Sequence, residues 1–159
     1  MAFALGKAFL AAGHFVAFGS RQPETKNEFH EMVGSESKIY GVQAAIDAGQ
    51  IIIITIPYSQ VPETVRKFAN SLKDKVIIDI TNPFSAQPND GSSGAQVTAR
   101  IIGEKARVVA AFKTNFAETI SESKDSSGKP REVHYAGDDH DAKDIVADLI
   151  REIGFSAVD

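Results

Sequence analysis

The chain has 159 residues, 43% hydrophobic and 24% charged, with a net charge of −4. That length suffices for one domain with a real core, and the acidic balance argues against non-specific nucleic-acid binding. With no cysteine there are no disulfides, thiolate metal sites or cysteine nucleophiles, and no apolar run approaches the ~20 residues that a bilayer span needs.

Residues 2–12 read as a helix, with Leu5, Phe9 and Ala12 on one face. Gly13 supplies its stop. The helix is amphipathic, unlike a signal peptide, so the expected compartment is the cytoplasm and no membrane partner is expected. His14–Phe18 reads as a buried strand. Pro23 and Glu24 open a second helix to about Val33, with proline at the start and an acid in the first turn. Lys38–Tyr40 is a short strand candidate, and Val42–Ala48 a short helix ended by Gly49.

Ile51–Ile56 is the clearest strand, because an uninterrupted β-branched run fits a parallel strand covered on both faces. Pro57 stops it. Val61, Val65, Phe68 and Leu72 follow at helical spacing. Val76–Ile80 is the next strand and runs into Thr81-Asn82-Pro83-Phe84. A polar loop over 85–94 closes with Ser93 and Gln96, a capping-box pattern that opens a helix to Ile102. Val108–Phe112 is a strand, and Lys113–Ile120 continues as turn or short helix. Ser121–Arg131 is polar and without apolar period, hence an exposed, mobile loop. Val133–Ala136 is a strand. Ala142, Ile145, Val146, Leu149, Ile150 and Ile153 form a helical stripe capped near Asp138-Asp139, and Phe155–Val158 is a last strand. Strands alternating with helices imply one α/β domain over 1–159, with a Rossmann-like, doubly wound and mainly parallel sheet.

In such folds the end of the second strand meets the adenosine ribose. Ser20 and Arg21 stand at the end of His14–Gly19, where an acid would accept from a free 2′-hydroxyl. A hydroxyl and a fixed positive charge suit a 2′-phosphate instead. The expected cofactor is therefore NADP(H). Ala2 fits the third small position of the glycine-rich fingerprint, and Arg21 follows at about the 20-residue offset expected for the ribose contact. On that alignment the first strand and the phosphate turn would lie before Met1. A site without two or three charge-assisted bonds from that turn loses roughly 3–9 kcal/mol. His14–Phe18 and Ile51–Ile56 would then pair directly or leave a gap about two strand spacings wide, ~9–10 Å.

The ordered set Ala12–Arg21, Ile54–Tyr58, Asp79–Pro83, Val108–Asn115 and Ala136–Asp139 resembles the NADPH-dependent coenzyme F420 reductase family and its bacterial relatives. The likeness covers nearly the whole chain. The cytosolic domains of six-transmembrane ferric reductases are similar to a lesser degree. The resemblance implies that Ser20 and Arg21 hold the 2′-phosphate, with Lys26 assisting from a position displaced by one. It implies that Ile56 and Pro57 wall the adenosine and nicotinamide side. Thr81 and Asn82 would lie beside the nicotinamide, and Phe112 and Thr114 would floor the hydride-transfer cleft. The chain departs from the family pattern at Lys113, where relatives often carry Asn or His. The terminal helices that follow Asp159 in the family, and help form the deazaflavin site and the dimer, would also be absent.

Hydride transfer is carried by the two cofactors, so no side chain has to act as a nucleophile and no catalytic residue is assigned. Asp79, in an apolar strand, reads as an acceptor of loop N–H bonds rather than a catalytic acid. Asp138, Asp139 and Asp141 answer a helix macrodipole better than a metal, and His14, His30, His134 and His140 show no ligand spacing, so no metal site is expected. The expected second substrate is a small redox molecule, with coenzyme F420, a flavin, ferric iron through a haem, or a carbonyl or imine all open. A homo-oligomer is expected from unpaired sheet edges. The alternative is a binding or interaction module that has lost tight nucleotide binding.

Overall fold

The computed structural model describes residues 1–23, 38–84 and 87–159. Helix α1 spans Ala2–Ala11, followed by strand β1 (Ala17–Ser20), strand β2 (Lys38–Gly41) and helix α2 (Val42–Ala48). Strand β3 (Ile51–Ile54), a 3-10 turn at Tyr58–Gln60, helix α3 (Val61–Leu72) and strand β4 (Val76–Asp79) come next. The remainder is helix α4 (Gly94–Ile102), strand β5 (Arg107–Ala111), helix α5 (Ala117–Ile120), strand β6 (Glu132–Gly137), helix α6 (His140–Glu152) and strand β7 (Ser156–Val158).

Among the described residues the strands form two sheets. β1 pairs with β2, and the larger sheet runs β3-β4-β5-β6-β7. All pairs are parallel except β5 with β6. β1 and β3 therefore do not pair directly; helices connect the two sheets instead. On one face, Leu5 and Phe9 of α1 join a core with Ile78, Val109, Val146 and Ile150. The same helix meets β1 through Gly6, where an added Cβ would lie 2.2 Å from the Phe18 ring. On the other face, Ile46 of α2 packs with Ile77, Val108, Val61 and Val65, and Ala45 of the same helix sits under Gly19. Neighbouring residues Ile77 and Ile78 thus feed opposite cores, as the period of two in a strand requires when both faces are covered. Each such fully buried aliphatic side chain is worth about 1.5–3 kcal/mol.

Several element ends differ from the sequence reading. The first strand begins at Ala17 rather than His14. The His14 N–H closes the end of α1 on the Phe9 carbonyl at 3.0 Å, and the Gly13 N–H bonds the Leu10 carbonyl at 3.0 Å. Gly13 adopts φ +89°, so the pair is a Schellman stop that takes His14 into the helix end. β3 stops at Ile54 because Ile54 is the last residue with a partner, Asp79, across the pair. The segment 121–131 is organised around Asp125, whose Oδ1 accepts from the Ser127 N–H and hydroxyl and from the Lys129 N–H. The helix read over 23–33 lies, beyond Pro23, outside the described residues, as does Lys26. The capping box forms as read: the Gln96 N–H donates to Ser93 Oγ and the Ser93 N–H to Gln96 Oε1. Asp139 caps α6 by accepting from the Ala142 N–H at 2.7 Å.

Candidate functional site

In open α/β sheets ligands bind outside the carboxyl ends of the strands. Each described residue named for the site lies at or just beyond such an end. Ser20 closes β1 and Arg21 follows it, exposed. Ser20 Oγ accepts the Gln22 N–H at 3.1 Å, which leaves the hydroxyl hydrogen available to an incoming anion. Ile56, half-buried, and Pro57, exposed, lead from β3 into the 3-10 turn. Thr81 is buried and Asn82 half-buried beyond β4. Phe112 is buried beyond β5, with Thr114 exposed two residues on.

The ends of β4 and β5 are joined by a bonded network. Asp79 is fully buried. Its Oδ1 accepts from the Thr81 N–H at 2.8 Å, the Thr81 hydroxyl at 2.7 Å and Lys113 Nζ at 3.2 Å. Its Oδ2 accepts from the Thr98 hydroxyl of α4 at 3.0 Å. Lys113 Nζ also donates to the Thr81 carbonyl, and Asn82 Nδ2 donates to the Lys113 carbonyl at 2.8 Å. A buried carboxylate is tolerated only when paired and hydrogen-bonded, and here it has both. Its acceptance of a loop N–H is the role the sequence suggested.

The turn that carries Lys113 depends on Phe112, which sits at φ +56° with its ring buried. Positive φ is costly for a bulky residue, and packing of the ring holds it there. The next residues thereby turn back toward β4. Asn115 follows, donating to the Glu132 carbonyl at 3.1 Å. Its Oδ1 is buried and has no donor among the described residues, so it is an unpaired acceptor.

Thr81, Asn82 and Phe112 are thus gathered through Lys113, while Ser20 and Arg21 stand on the separate β1–β2 sheet. Asp79, Thr98, Lys113 and Asn115 are the residues the sequence reading did not assign to the site. The one available signal was an Asp in an all-apolar strand with a Lys just past the next strand. An open groove of about 510 Å³ lies between α1, α5 and α6, lined by Ala4, Lys7, Ala8, Ile120 and Ile153. None of the residues named for the site lines it.

Residues 1–83, more than half of the chain, match the model of the family described as NADP oxidoreductase, coenzyme F420-dependent. The chain belongs to this family. It is an NADP-dependent oxidoreductase. The F420-dependent NADP reductase of Methanocaldococcus jannaschii is 28% identical over 170 residues, covering 94% of this chain and 74% of that protein. A hypothetical protein from Sinorhizobium meliloti has a similar fold, with a TM-score of 0.86 and 24% identity over 99% of this chain and 78% of its own. A pyrroline carboxylate reductase from Plasmodium falciparum, solved with NADP bound, shares the fold at a TM-score of 0.66 with 12% identity, over 98% of this chain and 53% of that one. Among the described residues no helix is long and apolar enough to cross a membrane.

Proposed function

We propose that the chain binds NADP(H) across the carboxyl ends of β1, β3, β4 and β5 and exchanges hydride with a deazaflavin or flavin-type ring. The exposed Arg21 beside the Ser20 hydroxyl is the observation that carries the cofactor assignment. The guanidinium offers a planar fork to the 2′-phosphate, and Ser20 donates its free hydrogen alongside. Lys26 assists in this reading. Ile56 and Pro57 wall the adenosine and nicotinamide side. Thr81 and Asn82 line the nicotinamide edge, and Phe112 and Thr114 form the floor.

The residues fit the group in two further respects. Asn115 Oδ1 is a buried acceptor without a donor among the described residues, which suits an amide N–H such as a carboxamide offers. Phe84 and Phe116 follow β4 and β5 and are 89% and 74% exposed. Large apolar rings left in water at a ligand-binding edge favour a planar aromatic partner. The nicotinamide, when bound, supplies the hydride. The protein would hold the ring and its acceptor together and exclude water, which is where its contribution to the rate would lie.

The enzyme works in this reading as a cytoplasmic homo-oligomer, and sedimentation checks the assembly. The test of function is NADPH oxidation with coenzyme F420 and with flavin mononucleotide as acceptors, repeated with NADH. Turnover that requires NADPH is expected. Equal rates with NADH would contradict the assignment of Ser20 and Arg21, and no turnover with either acceptor would contradict the assignment of the second substrate.

A further inference from the structure

Lys113 stands between Phe112 and Thr114, at the floor of the proposed nicotinamide site. We propose that its ammonium biases this site against the oxidised, positively charged nicotinamide, so that NADPH is held in preference to NADP+. The inference rests on the reading of this edge as the nicotinamide end.

The geometry makes Lys113 a one-sided charge. Asp79 is sealed inside, with four donors on its two oxygens and no exposed surface. The Lys113 side chain retains 23% of its surface exposed. An ammonium has three N–H donors; two are committed, to Asp79 and to the Thr81 carbonyl. The third has no acceptor among the described residues. Of the two paired groups only the lysine side chain reaches the surface; the carboxylate, 3.2 Å from its Nζ, does not. The pair is therefore a fixed dipole with its positive end outward. Asn82, bonded to the Lys113 carbonyl, and Asp79, bonded to Thr81, keep the lysine stem and the nicotinamide loop in register.

Oxidised nicotinamide carries a ring charge of +1, and the reduced ring is neutral. A dipole whose positive end faces the ring therefore disfavours the first and leaves the second almost untouched. The phosphates and both riboses are common to the two nucleotides, so the contribution of Arg21 cancels from the ratio of their affinities. That ratio isolates the charge at the ring.

The experiment is equilibrium titration of the full chain with NADPH and with NADP+, for the wild type, Lys113→Met and the double variant Lys113→Met/Asp79→Asn. The double variant strands no buried carboxylate and covers the case in which the single one fails to fold. The preference for NADPH is expected to fall about five- to twentyfold in the double variant, which removes both charges, and further in Lys113→Met, which leaves the Asp79 carboxylate, chiefly because NADP+ binds more tightly relative to NADPH. Equal weakening of the two nucleotides would make Lys113 a purely structural residue and overturn the inference, as would an unchanged ratio. Absence of binding by either nucleotide to a folded wild type would contradict the NADP(H) site itself. Tight NADPH binding with an unchanged ratio would sink only the role of Lys113.

Discussion

The carboxyl ends of β4 and β5 and the carboxyl end of β1 carry two halves of one proposed nucleotide site, and they are held in place differently. At β4 and β5 the polar groups are locked to one another. Asp79, Thr81, Asn82, Thr98 and Lys113 form a closed set of hydrogen bonds above strands buried on both faces. At β1, Ser20 and the following Arg21 stand at the end of a two-stranded sheet that, among the described residues, has no strand pairing to the larger one. Their position depends on helix packing, through Gly6 against Phe18 on one face and Ala45 under Gly19 on the other. The proposed nicotinamide end is thus fixed by polar bonds inside a core, and the proposed 2′-phosphate end by apolar contacts across a seam. Damage to the first should appear mainly as lost stability, and damage to the second as misplaced specificity.

Asp79→Ala gives the largest expected effect. It leaves Lys113 and the Thr81 and Thr98 donors around an emptied centre, and breaking a buried pair in this way costs about 3–5 kcal/mol. A urea unfolding midpoint measures it, and a loss below ~1 kcal/mol would mean that the network is not the brace described. Gly6→Val comes next. Its Cβ would meet the Phe18 ring at 2.2 Å, and overpacking of this kind costs about 1–3 kcal/mol. Because Arg21 follows directly on β1, this variant should also weaken NADPH more than NADH, which titration of both nucleotides would reveal. Ser93→Ala removes the α4 cap for about 1 kcal/mol, read as a shift in unfolding midpoint with nucleotide preference unchanged.

The smallest effect concerns acid. Arg100 and Ser92 hold the Asp90 carboxyl below its ordinary value of 3.8. A depressed carboxylate contributes stability that is present above the unfolded value and is lost as pH falls through the folded one. Wild type and Asp90→Asn should therefore differ slightly in melting temperature at neutral pH and converge in strong acid. A difference that grew on acidification would reverse the sign of this account.

Much of the fold was legible because its signals are local. The isoleucine run at 51–54, the Ser93–Gln96 box and the apolar stripe of α6 each determine an element without distant help. The start of β1 was not legible, since His14 completes a helix end and the strand's register comes from pairing Ala17 with Lys38. The site divides in the same way. Ser20 and Arg21 are readable as a strand-end pair. The bond between Lys113 and Asp79 depends on the register that sets Asp79 beside Ala110, and on the positive φ of Phe112. Neither is written in residue types alone.

The central claim is that Arg21 selects NADPH, and titration of wild type and Arg21→Ala with NADPH and NADH tests it most directly. Loss of one charge-assisted contact should weaken NADPH roughly ten- to a hundredfold and leave NADH unchanged. An unchanged NADPH affinity, or an equal loss for both nucleotides, would contradict it.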